Sequence, residues 1–198
     1  MTVKSAADLL VLLLYAKGQT GKRNEEIKGI TRLEKLMFLL IKEGSYEEIL
    51  AQEITFEAYD FGPYSAELYD LLESLNMMSI VKIREEKTSN IKDIIDMYYA
   101  EAEGQIEETA EKMEIYSLTE NRGIKIAKKL LNVRVTSEEF NRIEEIKAKY
   151  NTLNLDDLLK YVYRTYPQST KKSKIIERIL GFGKRPDLKP FEREEEMP

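Results

Sequence analysis

The stretch "LLVLLLYA", residues 9–16, constrains this chain most, because it is eight apolar residues in a row without a charge. A helix built from it has no polar side to give to water, so other elements must enclose most of its surface. It is also far short of the roughly 18 apolar residues that a membrane span needs. The expectation is a folded domain wrapped around this segment. A chain of 198 residues with 42% hydrophobic content can build such a core. The N-terminus lacks the succession of basic region, apolar core and small-residue cleavage site that marks secretion, so a cytoplasmic protein without a membrane partner is expected.

Local signals divide the rest. Residues 5–16 read as a first helix, followed by the polar, glycine-containing loop "GQTGKRNEEIKG". Thr31 and Glu34 have the spacing of a capping box, and Leu33, Leu36, Met37 and Leu40 then give a helical stripe. A strand-like piece, residues 56–61, breaks at Gly62-Pro63, and a third helix is expected over residues 64–77 with Pro63 suited to its first turn. "SIVKIREEK" and "DIIDMYYAEAE" read as a β-hairpin turned at "TSN", with "MEIYSLT" as a further strand. A fourth helix follows over residues 120–131. Thr136 with Glu139 makes a second capping box, stapled by Val135 and Phe140, and Asn154 caps a sixth helix that stops at Pro167. A shorter helix is expected over residues 172–180, then a flexible tail over 181–198.

Chemistry is bounded by what is missing. With no Cys and no His, the chain has no disulfide, thiolate ligand, imidazole ligand or imidazole base. "GQTGKRN" lacks the spacing and the Ser/Thr of a phosphate-binding loop. "PDLK", residues 186–189, matches a fragment of a nuclease metal motif without a second carboxylate–lysine pair. No nucleophile–base pair can be assembled, so the expectation is a non-enzymatic protein with no catalytic, cofactor or metal site.

The fold class expected is mainly α with a small β-hairpin. The order of three helices, a hairpin and a returning helix is that of a winged helix, which gives a winged-helix-like domain over residues 1–133 and a C-terminal helical extension over 134–180. "IYSLTENRGIKIAKKL" resembles the wing exit shared by many winged-helix regulators. "TRLEKLMFLL" followed by "FEAYDFGPYSAELYDLL" resembles the Panacea domain of the SocA-like antitoxins and related winged-helix proteins, over roughly residues 5–80. That resemblance implies a small non-enzymatic module associated with toxin neutralisation.

Two sets of candidate residues follow. On the third helix Leu68, Leu71, Leu72 and Leu75 form the core stripe, which leaves Glu67, Asp70 and Glu73 on the opposite face. A major-groove reader needs Arg, Lys, Asn or Gln there, and phosphates would be repelled by this one. The acidic face is simply solvated, binds a protein or, least favoured by its charge, reads bases directly. Tyr59, Phe61 and Tyr64 beside Gly62-Pro63 are either packing for a tight turn or an aromatic anchor of the same interface. The second set is basic: Lys125, Lys128 and Lys129 on the fourth helix, with Lys82, Arg84 and Lys87 on the first wing strand. These are solvated charges, or they contact duplex-DNA phosphates without reading bases. A net charge of -5 opposes indiscriminate nucleic-acid coating. Another protein is the favoured partner and duplex DNA the alternative; a homodimer is compatible with both.

Overall fold

The apolar run does become a buried helix. In the computed structural model, which describes residues 3–87 and 112–181, residues 9–16 are all buried. This helix, α1 (Ala6–Tyr15), is capped by Ser5, whose hydroxyl accepts from the Asp8 amide at 3.1 Å. It is followed by β1 (Ile27–Lys28), α2 (Ile30–Glu43), the single turn α3 (Glu47–Leu50), β2 (Glu57–Tyr59), β3 (Gly62–Tyr64) and α4 (Ala66–Met77). Then come β4 (Val81–Lys87), β5 (Lys112–Leu118), α5 (Gly123–Val133), α6 (Ser137–Asn151), α7 (Leu155–Thr165), a 3-10 turn (Pro167–Thr170) and α8 (Ile176–Leu180). The described residues are thus mainly helical, with two small antiparallel sheets. Among them no helix is long and apolar enough to cross a membrane.

α2 is the second fully enclosed element: residues 33–41 are all buried. It packs against α6 and α7 and against β3, while α1 packs on α5, α6 and β5. One hydrophobic cluster therefore runs through Leu13, Leu36, Leu72, Ile143 and Leu158, so the C-terminal helices share the core of the first half. Burying each such side chain stabilises the fold by about 1.5–3 kcal/mol.

Several local expectations change. α2 does not start with a capping box. Its N-cap is Gly29, at φ 85° and without a side-chain cap bond, while Thr31 and Glu34 are buried inside the helix. α4 begins two residues later than expected, because Ser65 is its N-cap, and Pro63 sits in strand β3 instead. The Thr136 box is half formed: its hydroxyl accepts from the Glu139 amide at 3.2 Å, but the Glu139 carboxylate accepts from the Val3 amide at 3.0 Å. Asn154 caps α7 as expected, accepting from the Asp157 amide at 2.8 Å.

The "SIVKIREEK" segment pairs with "MEIYSLT", in a register running from Val81↔Leu118 to Lys87↔Lys112. The expected partner "DIIDMYYAEAE" and the "TSN" turn lie outside the described residues, as does the tail beyond residue 181. β1, hidden in a segment expected to be loop, joins the other edge of β5 through Ile27↔Tyr116, giving the order β1-β5-β4. The second sheet, β2-β3, is a tight hairpin with Asp60 and Phe61 at its tip.

Candidate functional site

The β2-β3 hairpin and α4 form one surface because the hairpin is held from beneath. Lys35 and Glu34, both fully buried on α2, pair at 2.5 Å. The Lys35 ammonium also donates to the Pro63 carbonyl at 2.8 Å, and the Ser65 amide donates to Glu34 at 3.4 Å. Burial pushes the Glu34 carboxyl up, and the Lys35 charge and the Ser65 amide pull it back. At the tip, the Asp60 carbonyl accepts from the Lys174 amide at 2.8 Å and the Ser173 hydroxyl at 3.1 Å, and its carboxylate binds the Lys174 ammonium at 2.5 Å. Gly62 turns the chain at φ 97°, with Tyr163 and Lys35 close enough to touch any added Cβ.

With the hairpin fixed, its outer face is determined by register. Glu57 stands opposite Tyr64 and Tyr59 opposite Gly62, so Glu57, Tyr59 and Tyr64 share one side. The Tyr59 and Tyr64 rings lie 5.0 Å apart at 35°, and Tyr64 meets Tyr69 of α4 at 5.4 Å and 39°. Burial, then the carboxylates of Glu34, Asp70 and Glu57, push the Tyr64 phenol up. On α4, Leu68, Leu72 and Leu75 are buried and Leu71 is half-buried, as the stripe required. At about 100° per residue, Tyr69, Asp70, Glu73 and Met77 then fall on the side away from the core. Tyr59 is 46% exposed, Met77 72% and Met78 44%.

Each expected interface residue can now be placed. Tyr59, Asp70 and Glu73 are exposed, and Tyr64 is half-buried in the ring ladder. Glu67 is exposed but turned along the helix start, where its own amide and the Ser65 hydroxyl, at 2.8 Å, hold its carboxyl below the usual range. Phe61 is a correction: it is only 4% exposed and belongs to the core cluster.

The basic set divides. Lys125, Lys128 and Lys129 are exposed on α5 and form no ion pair among the described residues. Arg84 is not a spare cation, since its guanidinium grips Glu26 with contacts of 3.2 and 2.8 Å and lies 3.7 Å from Glu86. Lys82 and Lys87 are exposed, but the neighbouring Lys112 is paired with Glu85 at 2.6 Å. β4 and β5 therefore offer little net positive charge.

The segment that contains β2, β3 and α4 is also free of positive charge in the sequence. Between Lys42 and Lys82 there is no basic residue, while nine acidic ones fall in the same interval. Set against known proteins, the chain matches no family model, no curated protein and no solved structure.

Proposed function

We propose that this chain is a non-enzymatic winged-helix module, Panacea-like, that works by binding another protein through the β2-β3 hairpin and the outer face of α4. The order of α1, β1, α2, α4, β4 and β5, with β1-β5-β4 as the sheet, supports the winged-helix part. The helix that would enter a major groove in such a fold carries Asp70 and Glu73 outward beside Tyr69 and Met77. That single observation carries the reading. It opposes phosphate approach and supplies aromatic and methionine surface of the kind enriched at protein interfaces. The lack of any His or Cys supports a binding rather than a catalytic role.

A second reading rests on Lys125, Lys128 and Lys129, which α5 leaves exposed and unpaired among the described residues. These could contact duplex-DNA phosphates. Capture from source-cell lysate separates the two, with immobilised wild type, the Asp70→Lys/Glu73→Lys variant and the Lys125→Glu/Lys128→Glu/Lys129→Glu variant, each with and without nuclease. Protein binding predicts a nuclease-resistant partner that is lost only in the α4 variant. A nuclease-sensitive partner lost only in the α5 variant overturns it in favour of DNA.

A further inference from the structure

The partner's chemistry can be narrowed further, on the premise that the hairpin and α4 are the binding face. This protein shows twice, within its own fold, what it places on a pair of adjacent rings beside a carboxylate. The Tyr15 and Phe140 rings, 6.3 Å apart, carry the Arg23 guanidinium at 5.5 and 4.7 Å, and Glu144 takes that guanidinium as its ion-pair partner. The Tyr150 and Tyr161 rings, 4.9 Å apart, lie 4.5 and 5.3 Å from the Lys149 ammonium, which donates to the Tyr150 hydroxyl at 2.7 Å and has Glu43 at 3.9 Å.

The Tyr59–Tyr64 pair repeats the pattern. Its rings are 5.0 Å apart, Glu57 lies opposite Tyr64 in register, and Asp70 adjoins Tyr69, whose ring meets Tyr64 at 5.4 Å. Among the described residues, no cation stands over either ring. Of the two lysines bonded to the hairpin, Lys35 is buried against Glu34 and Lys174 is held by Asp60. This ring pair also lies at the centre of the sequence interval without basic residues. Ring faces attract cations, and carboxylates beside them strengthen that attraction. A planar guanidinium can stack on a ring and still offer its edge to a carboxylate, which an ammonium cannot do as well.

We propose that the occupant of this face is an arginine-bearing segment of the partner protein, with a guanidinium over Tyr59 and Tyr64 and its edge towards Glu57 and Asp70. Fluorescence anisotropy tests it with two labelled peptides, one alternating arginine and serine and the other its lysine counterpart. Wild type should bind the arginine peptide roughly three- to fivefold more tightly. Tyr59→Leu, at an exposed position, should erase that preference while keeping the salt-dependent part of the binding. Glu57→Gln/Asp70→Asn should weaken both peptides, whereas Glu47→Gln/Glu48→Gln should weaken neither. Equal binding of the two peptides by wild type overturns the proposal, and so does a preference that survives Tyr59→Leu. Lysate capture distinguishes the failures. If the α4 variant loses its protein partner while no arginine preference exists, the face stands and only its occupant is wrong. If the α4 variant keeps the partner, the face itself is wrong.

Discussion

Two buried lysines hold two different regions of this molecule. Lys35, on α2, holds the β2-β3 hairpin through one carboxylate, Glu34, and one carbonyl, that of Pro63. Lys147, on α6, holds the end of α1 and the loop beyond it through three carbonyls, those of Leu14, Ala16 and Glu25, at 3.0, 2.8 and 2.8 Å. Both are fully buried. The first exchanges its lost hydration for a full opposite charge. The second has only neutral dipoles in contact, although two of its carbonyls lie at the C-terminal end of α1, where a helix favours positive charge. Desolvation therefore pushes the Lys147 ammonium down to about 7, with Glu25 and Glu144 pulling it partly back. What each lysine leaves behind when removed, rather than how deeply it is buried, should set the cost.

The largest effect expected is at Lys35. Lys35→Met strands a buried carboxylate and should cost about 3–5 kcal/mol. The double variant Glu34→Gln/Lys35→Met should recover much of that in urea unfolding. If the double variant is no better than the single one, the cost lies in packing and the contrast between the two lysines collapses.

Lys147→Met leaves carbonyls without a donor but no charge, so a smaller loss of about 1–3 kcal/mol is expected at pH 7. Its pH dependence sharpens the comparison. Because the folded state holds this lysine near 7 while the unfolded chain titrates at its ordinary value near 10.5, the unfolded state binds the extra proton between those limits. Stability of the wild type should therefore rise with pH relative to Lys147→Met from about pH 7 to 9, at no more than about 1.4 kcal/mol per unit. Parallel stability curves for the two proteins over that range would show that the carbonyls hold the ammonium charged throughout.

The smallest effect expected is Gly62→Ala. The backbone there is at φ 97°, and the added methyl would stand 3.4 Å from Tyr163 and 3.5 Å from Lys35. A loss of about 1 kcal/mol is expected, read as a lower melting temperature. An unchanged melting temperature would mean that the hairpin yields without cost, and that Lys35 fixes it less firmly than its bonds imply.

The signals that could be read from sequence were those set by neighbours along the chain. Leu68, Leu72 and Leu75 repeat at helical spacing and are buried, and Asn154 caps the helix that it precedes. Lys147 also had a signal, since it shares a stripe with Ile143, Ile146 and Tyr150, where a charge is out of place. So did the acidic interval between Lys42 and Lys82. Glu34 departs from its local pattern: its spacing from Thr31 suits a cap, but the chain enters α2 through Gly29, and the carboxylate turns to Lys35.

The sequence alone determined the buried character of α1, the stripe of α4, the acidic side opposite it and the absence of His and Cys, because each follows from residue type and spacing within a turn or two of chain. Tertiary structure decided the rest. β5 pairs with β4 on one edge and with β1 on the other; Phe61 is buried while Tyr59 is exposed; and Arg84 is engaged by Glu26 across 58 positions of chain. Strand partners, and the side of a hairpin that meets the core, depend on contacts between segments far apart in sequence. The free energy of those contacts exists only once both segments are in place.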